Sequence, residues 1–351
     1  MQQISFTHTP ATELKRIVED IRPDRIFILT DETTRRLCLP RLLEAAEVLR
    51  DAGQIVIGAT DTHKTPESLM HVWQALSGGG ASRHSLLINL GGGMVTDLGG
   101  FAAATFKRGI RFVNIPTTLL AMVDAAVGGK TGINFNGLKN EVCSFCEADA
   151  VLVDTEFLRT LDHENLCSGY AEMLKHALLE NRTMWAEHLQ FDLGAPDYAL
   201  LQDLVAQSIA TKQRIVTEDP HEHGLRKALN LGHTVGHAFE SLALEEERPV
   251  LHGYAVAWGL LCELFLSAAH MGFPQEVMRQ TVAFIREYYG AFAFMCKDYE
   301  ALYHFMLHDK KNVGGEINFT LLAGIGDIRL NQHLTQEEVF ECFDFCREGA
   351  G

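Results

Sequence analysis

At 351 residues the chain exceeds what one compact core usually serves, so two domains are expected, each with a core of its own. Its 47% hydrophobic and 22% charged content exclude the disordered and fibrous classes. A formal charge of −16 excludes nucleic acid and anionic membrane as partners over most of the surface, so any anionic ligand needs a local basic pocket. No apolar run is long enough to span a bilayer and no apolar leader with basic flanks is present, which makes the cytoplasm the expected compartment.

Up to about residue 160, short β-rich runs alternate with helical stretches, and Arg25 to Thr30, Gln54 to Gly58, Ser85 to Leu90, Arg111 to Ile115 and Ala150 to Asp154 are predicted strands. That alternation predicts a parallel α/β sheet. Ser77 to Gly80 reads as a loop. Beyond Leu161 longer amphipathic periods predict helices over Tyr170 to Glu180, Leu200 to Val216, Thr234 to Leu244 and Ala255 to His270, with Glu245 to Pro249 an exposed turn. The expected division is an α/β domain over residues 1–166 and a helical domain over 167–351. The eight cysteines are scattered, which favours reduced thiols over a disulfide framework. Cys143 and Cys146 form a CxxC that could be a redox or zinc pair, but without a second pair small buried thiols are the favoured reading.

The apolar run Ser85 to Leu90 leads into Gly91-Gly92-Gly93, after which Met94 to Phe106 reads as a helix carrying Asp97. Strand, glycine loop and helix suit a pyrophosphate, because glycines let the backbone approach it and the helix N–H groups favour its charge. A triple glycine equally suits an ordinary tight turn, and it is not the usual GxGxxG. Support comes from Thr117 and Thr118, two hydroxyls beyond the carboxyl end of the next strand, where ligands of α/β sheets bind. Asp124, Lys130, Lys139 and Asn140 follow in glycine-rich loops and suit phosphate and hydroxyl oxygens, unless the lysines are simply solvated charges.

In the second half, Glu172 and Lys175 share one face of a predicted helix among apolar residues. His233 and His237 stand four apart on another, with Arg226 and Asn230 upstream, and His252 opens the following apolar helix. A carboxylate with imidazoles suits zinc or a similar divalent ion with positions open for a substrate oxygen. Spacing alone nominates His233 and His237 as the imidazole ligands, although sixteen histidines make a chance pair at that spacing unsurprising. His8, His63, His71, His84, His221 and His223 read as surface.

Taken in order, GGGMVTDLGGFAAATFKRGIRF, IPTTLLAMVDAAVGGKTGIN, GLKN, SGYAEMLKH, GLRKALNLGHTVGHAFE, LHGYAVAWG and HDKKN resemble the 3-dehydroquinate synthase family of sugar-phosphate cyclases, over residues 25 to 325 or so. The resemblance implies a Rossmann-like α/β N-terminal domain with a parallel sheet and an all-α C-terminal domain, a homodimer, and NAD with zinc or cobalt at a cleft. It replaces the ligand pair read from spacing with Glu172, His233 and His252, and turns His237 toward substrate. NAD contacts would fall on Asp31, on Asp61, Thr62, His63 and Lys64, and on Gly93, Met94, Val95, Thr96 and Asp97. Others would be Thr117, Thr118, Asp124, Lys130, Lys139, Phe157, Leu158, Arg159 and Thr160. Substrate-side groups would be Arg108, Asp124, Lys130, Asn140, Lys175, Lys212, Arg226, Asn230, His237 and one of Lys310 or Lys311. Most are cationic, as an anionic sugar phosphate requires of an acidic protein.

The implied reaction converts 3-deoxy-D-arabino-heptulosonate 7-phosphate to 3-dehydroquinate and phosphate. Transient oxidation of the C5 hydroxyl by NAD acidifies the neighbouring C–H, phosphate is eliminated, NADH returns the hydride, and ring opening and aldol closure follow. The chain departs from the family pattern at Thr96, in place of a glycine, at Tyr254, in place of a glutamate, and at His63 and Pro66 in the loop around Lys64. Sibling cyclases acting on sedoheptulose 7-phosphate or glucose 6-phosphate, a metal-dependent alcohol dehydrogenase of the glycerol dehydrogenase type, and an inactive scaffold subunit are the competing readings. Arg226, Asn140, Lys310 and Lys311 favour the carboxylate-bearing substrate, and the full set of ligands and bases weighs against a scaffold.

Overall fold

A computed structural model describes residues 2–7, 10–308 and 316–348. The chain folds as two compact units: the first runs to Asp162 and includes Tyr198–Ile209, and the second comprises His163–Asp197 and the chain from Ala210 onward.

The strands of the first unit are β1 (Gln3–Phe6), β2 (Ile26–Asp31), β3 (Gly53–Ile57), β4 (Leu86–Gly91), β5 (Arg111–Pro116), β6 (Lys130–Phe135), β7 (Leu138–Phe145) and β8 (Ala150–Val153). Its helices are α1 (Pro10–Ile21), α2 (Glu32–Leu37), α3 (Leu39–Ala45), α4 (Pro66–Gly78) and α5 (Gly93–Thr105). Six strands form one parallel sheet in the order β1-β8-β5-β4-β2-β3. Every residue of β4 and β8 is buried, which is why these strands read as unbroken apolar runs rather than as an alternation. One core joins Ile28, Ile88, Val113 and Leu152 of the sheet to Leu14 and Ile17 of α1 and Leu42 of α3. From β2 the chain moves outward to β3, then returns to place β4 on the other side of β2. The carboxyl ends of β2 and β4 therefore flank a reversal of strand order, the place where open α/β sheets bind ligands.

The five predicted strands are all present, with ends shifted by a residue or so. β1 escaped prediction because four residues with two polar ones carry little signal; it exists through parallel pairing with β8, Gln3 opposite Ala150. The glycine-rich stretch expected to form loops is instead an antiparallel hairpin of β6 and β7, turning at Gly137, whose φ is +78°. Ser77 and Gly78 are the last turn of α4, so the expected loop begins at the helix end. Cys143 is exposed on β7 and Cys146 half-buried just beyond it, both free, which corrects the expectation of buried thiols.

The second unit contains α6 (His163–Glu180), α7 (Arg182–Gln190), most of its packing helices α9 (His233–Glu245), α10 (His252–His270), α11 (Gln275–Tyr289), α12 (Tyr299–Leu307) and α13 (Gln336–Glu348), and a short hairpin of β9 (Phe319–Gly324) and β10 (Asp327–Gln332). Between them in sequence lies α8 (Tyr198–Glu218), whose first part belongs to the first unit. The unit is helical as expected, with that one hairpin added. α10 is not the amphipathic helix expected over Ala255 to His270: it is buried on nearly all sides because it is the centre of the unit. Burying Leu260, Leu261, Leu264 and Leu266 contributes on the order of 8 kcal/mol relative to leaving them in water.

Candidate active site

In the first unit the residues expected to meet a dinucleotide collect at the carboxyl ends of β2, β4 and β5. Asp31 closes β2 and caps α2, its carboxylate accepting the Thr34 N–H (2.7 Å) while Thr34 Oγ1 accepts the Asp31 N–H (3.1 Å). Gly93 to Asp97 form the first turn of α5, and the cap residue Gly92 has no side chain to satisfy that turn's N–H groups. A Cβ on Gly92 would lie 3.1 Å from Thr118 Cγ2, so a larger residue would crowd the turn. The buried Thr117 ties β5 to the loop through its N–H to Gly91 O (3.0 Å). Thr96 is buried and spends its hydroxyl on Gly93 O (3.1 Å), so the departure from glycine packs inward.

Lys64 joins three segments far apart in sequence, donating from Nζ to Asp97 Oδ2 (2.5 Å) and Asn140 Oδ1 (2.5 Å), and it is 4% exposed. Asn134 stitches the same loop down, donating from Nδ2 to Asp61 Oδ2 (3.2 Å) and from its N–H to Lys64 O (2.8 Å). Thr62 and His63 are exposed; Lys130 and Lys139 stand exposed on the hairpin, and Asp124 is half-buried in the turn Ala121–Ala125. Phe157 and Leu158 are core residues, leaving Arg159, paired with Glu156 (2.8 Å), and Thr160 as the accessible side chains of that stretch. Arg108 is not brought to this group: it lies just past the far end of α5, roughly 20 Å along the helix from Gly93.

In the second unit α6, α9 and α10 bring Glu172, His233 and His252 together, with one ligand atom from each lying within 4.8 Å of the others. Glu172 is fully buried, and its Oε1 faces His233 Nε2 at 3.3 Å and His252 Nε2 at 3.5 Å. The tautomers follow from the far side of each ring. His233 Nδ1 lies 3.1 Å from Leu231 O and His252 Nδ1 3.2 Å from Glu240 Oε2; both oxygens can only accept, so both Nδ1 atoms carry hydrogen. In the neutral rings both Nε2 lone pairs then point at a carboxylate oxygen that accepts no hydrogen bond of ordinary geometry. Three electron-rich atoms converging at a fully buried carboxylate favour a cation among them. Burial alone would push the Glu172 carboxyl up, yet Lys175, whose Nζ contacts Oε2, and His233 together hold it well below the usual carboxylate range. Burial lowers His252, but Glu172 and Glu240 outweigh it and raise that imidazole to about 10, because each of its ring nitrogens faces a carboxylate.

His237, one turn beyond His233, has its ring centroid 5.3 Å from that of His233 and belongs to a second grouping with Glu240 and His252. Glu240 is not among the residues the sequence nominates, although its spacing of seven from His233 and three from His237 puts all three on one face of α9. Lys212 is buried on α8 and Arg226 is buried in the short turn Leu225–Asn230. The Asp219 carboxylate holds that loop by accepting the N–H groups of Gly224 (2.7 Å), Arg226 (3.0 Å) and His223 (3.0 Å), which lower its pKa. Arg226 Nη1 donates to Pro220 O (2.7 Å) and Asn230 Nδ2 to Glu222 Oε1 (3.3 Å). His63, His71, His84, His221 and His223 are exposed, as read; His8, Lys310 and Lys311 lie outside the described residues.

Two family models match adjoining stretches of the chain, the 3-dehydroquinate synthase N-terminal over residues 54–168 and the 3-dehydroquinate synthase C-terminal over residues 169–312. The chain belongs to the 3-dehydroquinate synthase family. A family member from Parabacteroides distasonis is 55% identical over 350 residues, covering 100% of this chain and 99% of its own length. Another, from Pyrococcus abyssi, is 41% identical over 261 residues, 74% of this chain and 76% of that one.

Among solved structures, 2-epi-5-epi-valiolone synthase from Streptomyces hygroscopicus, with NAD+ and Zn2+ bound, superposes with a TM-score of 0.85 at 26% identity, covering 99% of this chain and 97% of that one. A 2-deoxy-scyllo-inosose synthase complexed with carbaglucose-6-phosphate, NAD+ and Co2+ gives 0.83 at 21% identity over 98% and 96% of the two chains, a likeness of fold. An iron-containing alcohol dehydrogenase from Thermotoga maritima shares the fold more distantly, at a TM-score of 0.67 and 14% identity over 99% and 98%. Membership in the 3-dehydroquinate synthase family thus accounts for both the strand-end loops of the first unit and the buried carboxylate of the second. No helix among the described residues is long and apolar enough to cross a membrane.

Proposed function

We propose that the chain converts 3-deoxy-D-arabino-heptulosonate 7-phosphate to 3-dehydroquinate and phosphate, with NAD and a divalent metal, zinc or cobalt, as resident cofactors. The observation that carries this reading is the convergence of the Glu172 carboxylate with the two Nε2 lone pairs of His233 and His252 in a member of this family. When bound, the metal lowers the pKa of a substrate hydroxyl and NAD takes up and returns that carbon's hydride.

The chain's own residues hold and orient. Glu172, His233 and His252 would ligate the metal, and Glu240 would fix the His252 tautomer and ring plane through Nδ1 (3.2 Å). His237 would pass a proton at the substrate hydroxyl, being half-buried beside the ligands without belonging to the Glu172 grouping. Lys175, 2% exposed, would present its charge to the substrate while contacting Glu172. Lys212, Arg226 and Asn230 would bind carboxylate and phosphate oxygens, and Asn140, Lys130 and Asp124 are further candidates for contacts to substrate oxygens. Asp31, Lys64, Gly93 to Asp97, Thr117, Thr118 and Lys139 would bind the dinucleotide, a role supported by the uncapped first turn of α5 and the Lys64–Asp97 pair. Residues 1–166 and 167–351 would be the corresponding cofactor and metal domains.

We also propose a homodimer, supported by the apolar surface of the β6–β7 hairpin, where Phe135, Leu138, Val142 and Phe145 are exposed, Phe145 by 60%. Eight free cysteines support a reducing compartment, the cytoplasm. One assay tests the reaction: purified protein, the heptulosonate phosphate, catalytic NAD and zinc or cobalt, followed by phosphate release and absorbance at 340 nm. Phosphate appearing without net NADH is expected. Steady NADH accumulation, or turnover only with sedoheptulose 7-phosphate, would overturn the reading.

A further inference from the structure

α9 begins at His233, and a helix that starts on a metal ligand must hold its first turn still. Such turns are usually fixed by a Ser, Thr, Asp or Asn side chain at the cap. Here the cap is Gly232, left-handed at φ +79°, and a Cβ on it would lie 2.8 Å from Leu260 Cγ and 3.0 Å from Val256 O of α10. No local side chain can serve.

The N–H groups are met from another helix. Glu263 of α10 is 0% exposed; its Oε2 accepts the Gly232 N–H (2.5 Å) and its Oε1 accepts those of Thr234 (3.0 Å) and Val235 (3.2 Å). The carboxylate thus grips the residues on both sides of His233 and lies on the positive end of the α9 dipole. Glu263 is eleven residues, three turns, from His252 on the same helix and so shares its face. Between them Gly259 lets the backbones touch, since a Cβ there would lie 1.9 Å from Gly232 O, and across the same seam a Cβ on Gly236 would lie 2.8 Å from Ala255 O.

We propose that Glu263 is a positioning residue of the metal site: it pins the start of α9 to α10 and thereby sets the separation of His233 from His252. The inference rests on reading Glu172, His233 and His252 as the metal ligands. It touches neither metal nor substrate, so it is not a catalytic residue.

The test measures the zinc affinity of the full chain by chelator competition, and the visible absorption of the Co2+ form, for Glu263→Gln, Glu263→Ala, His233→Ala and His252→Ala. Glu263→Gln keeps the shape and supports folding while turning an N–H donor toward one of the three backbone donors. It is expected to weaken zinc about 10-fold and shift the Co2+ bands, with Glu263→Ala at or beyond that loss. Unchanged zinc affinity and Co2+ spectrum in Glu263→Gln, with or without a lower Tm, would mean a purely structural cap and overturn the proposal. If instead His233→Ala and His252→Ala retain wild-type zinc affinity, the reading of the metal site itself fails, and that result is separable from the first.

Discussion

The two candidate binding regions are built by opposite means. In the first unit the groups are strand-end backbone, a turn of helix without a side-chain cap, and exposed lysines on a hairpin, knitted together by one buried lysine, Lys64. In the second they are side chains from three helices, a buried carboxylate and two half-buried imidazoles already facing one another. A backbone-built site tolerates side-chain change and takes its shape from the sheet; a site of converging side chains depends on helix spacing to within tenths of an ångström.

The sharpest way to break that contrast is to remove a ligand. His252→Ala is expected to lower zinc affinity by more than about 100-fold and abolish turnover, with NAD affinity by fluorescence titration unchanged within about twofold. His237→Ala should keep the metal and lose about 100-fold or more in kcat. Parallel loss of NAD affinity in His252→Ala would show that the two regions are not independent. Next in size is helix spacing: a Cβ on Gly253 would lie 1.8 Å from Ser168 O, so Gly253→Ala must force α10 away from α6. A loss of about 3 kcal/mol in urea unfolding, together with weakened zinc binding, is the expected outcome.

A smaller effect is set by pH. His188 is buried with Nδ1 donating to Met184 O (2.8 Å) and no partner for Nε2, and burial lowers its pKa to about 4. The unfolded chain binds this proton from near pH 6.5 downward while the folded chain does not, so stability is present above that pH and is lost as pH falls toward 4. Between pH 7 and 5 this group alone should remove about 2 kcal/mol, and His188→Gln should flatten that part of the urea-midpoint profile. The smallest expected change is in the first unit: Lys64→Ala should weaken NAD about 10-fold, roughly 1.4 kcal/mol, and leave zinc affinity alone.

The same contrast governs what could be read in advance. Gly91 to Gly93 after an apolar strand, and two threonines after the next, announce a strand-end site because backbone geometry demands those residues locally. Spacing on one helix suggested His233 with His237, whereas the structure groups Glu172 with His233 and His252; periodicity within a helix says nothing about which helices meet. It was the motif resemblance, not the spacing, that indicated Glu172, His233 and His252 together. Lys64 reaching Asn140 across 76 positions, and Glu263 gripping a helix 31 residues away, leave no local trace at all. The β6–β7 hairpin gives no strand signal for a different reason: glycines at its start and turn hide a period of two.

Glu172 has a last consequence, for how such a protein is made. With the Lys175 ammonium against one oxygen, its buried charge has a partner supplied by the protein itself. Folding is therefore expected to proceed without the ion, in contrast to domains that collapse without theirs, and stripping metal with a chelator should leave the urea midpoint unchanged while turnover is lost.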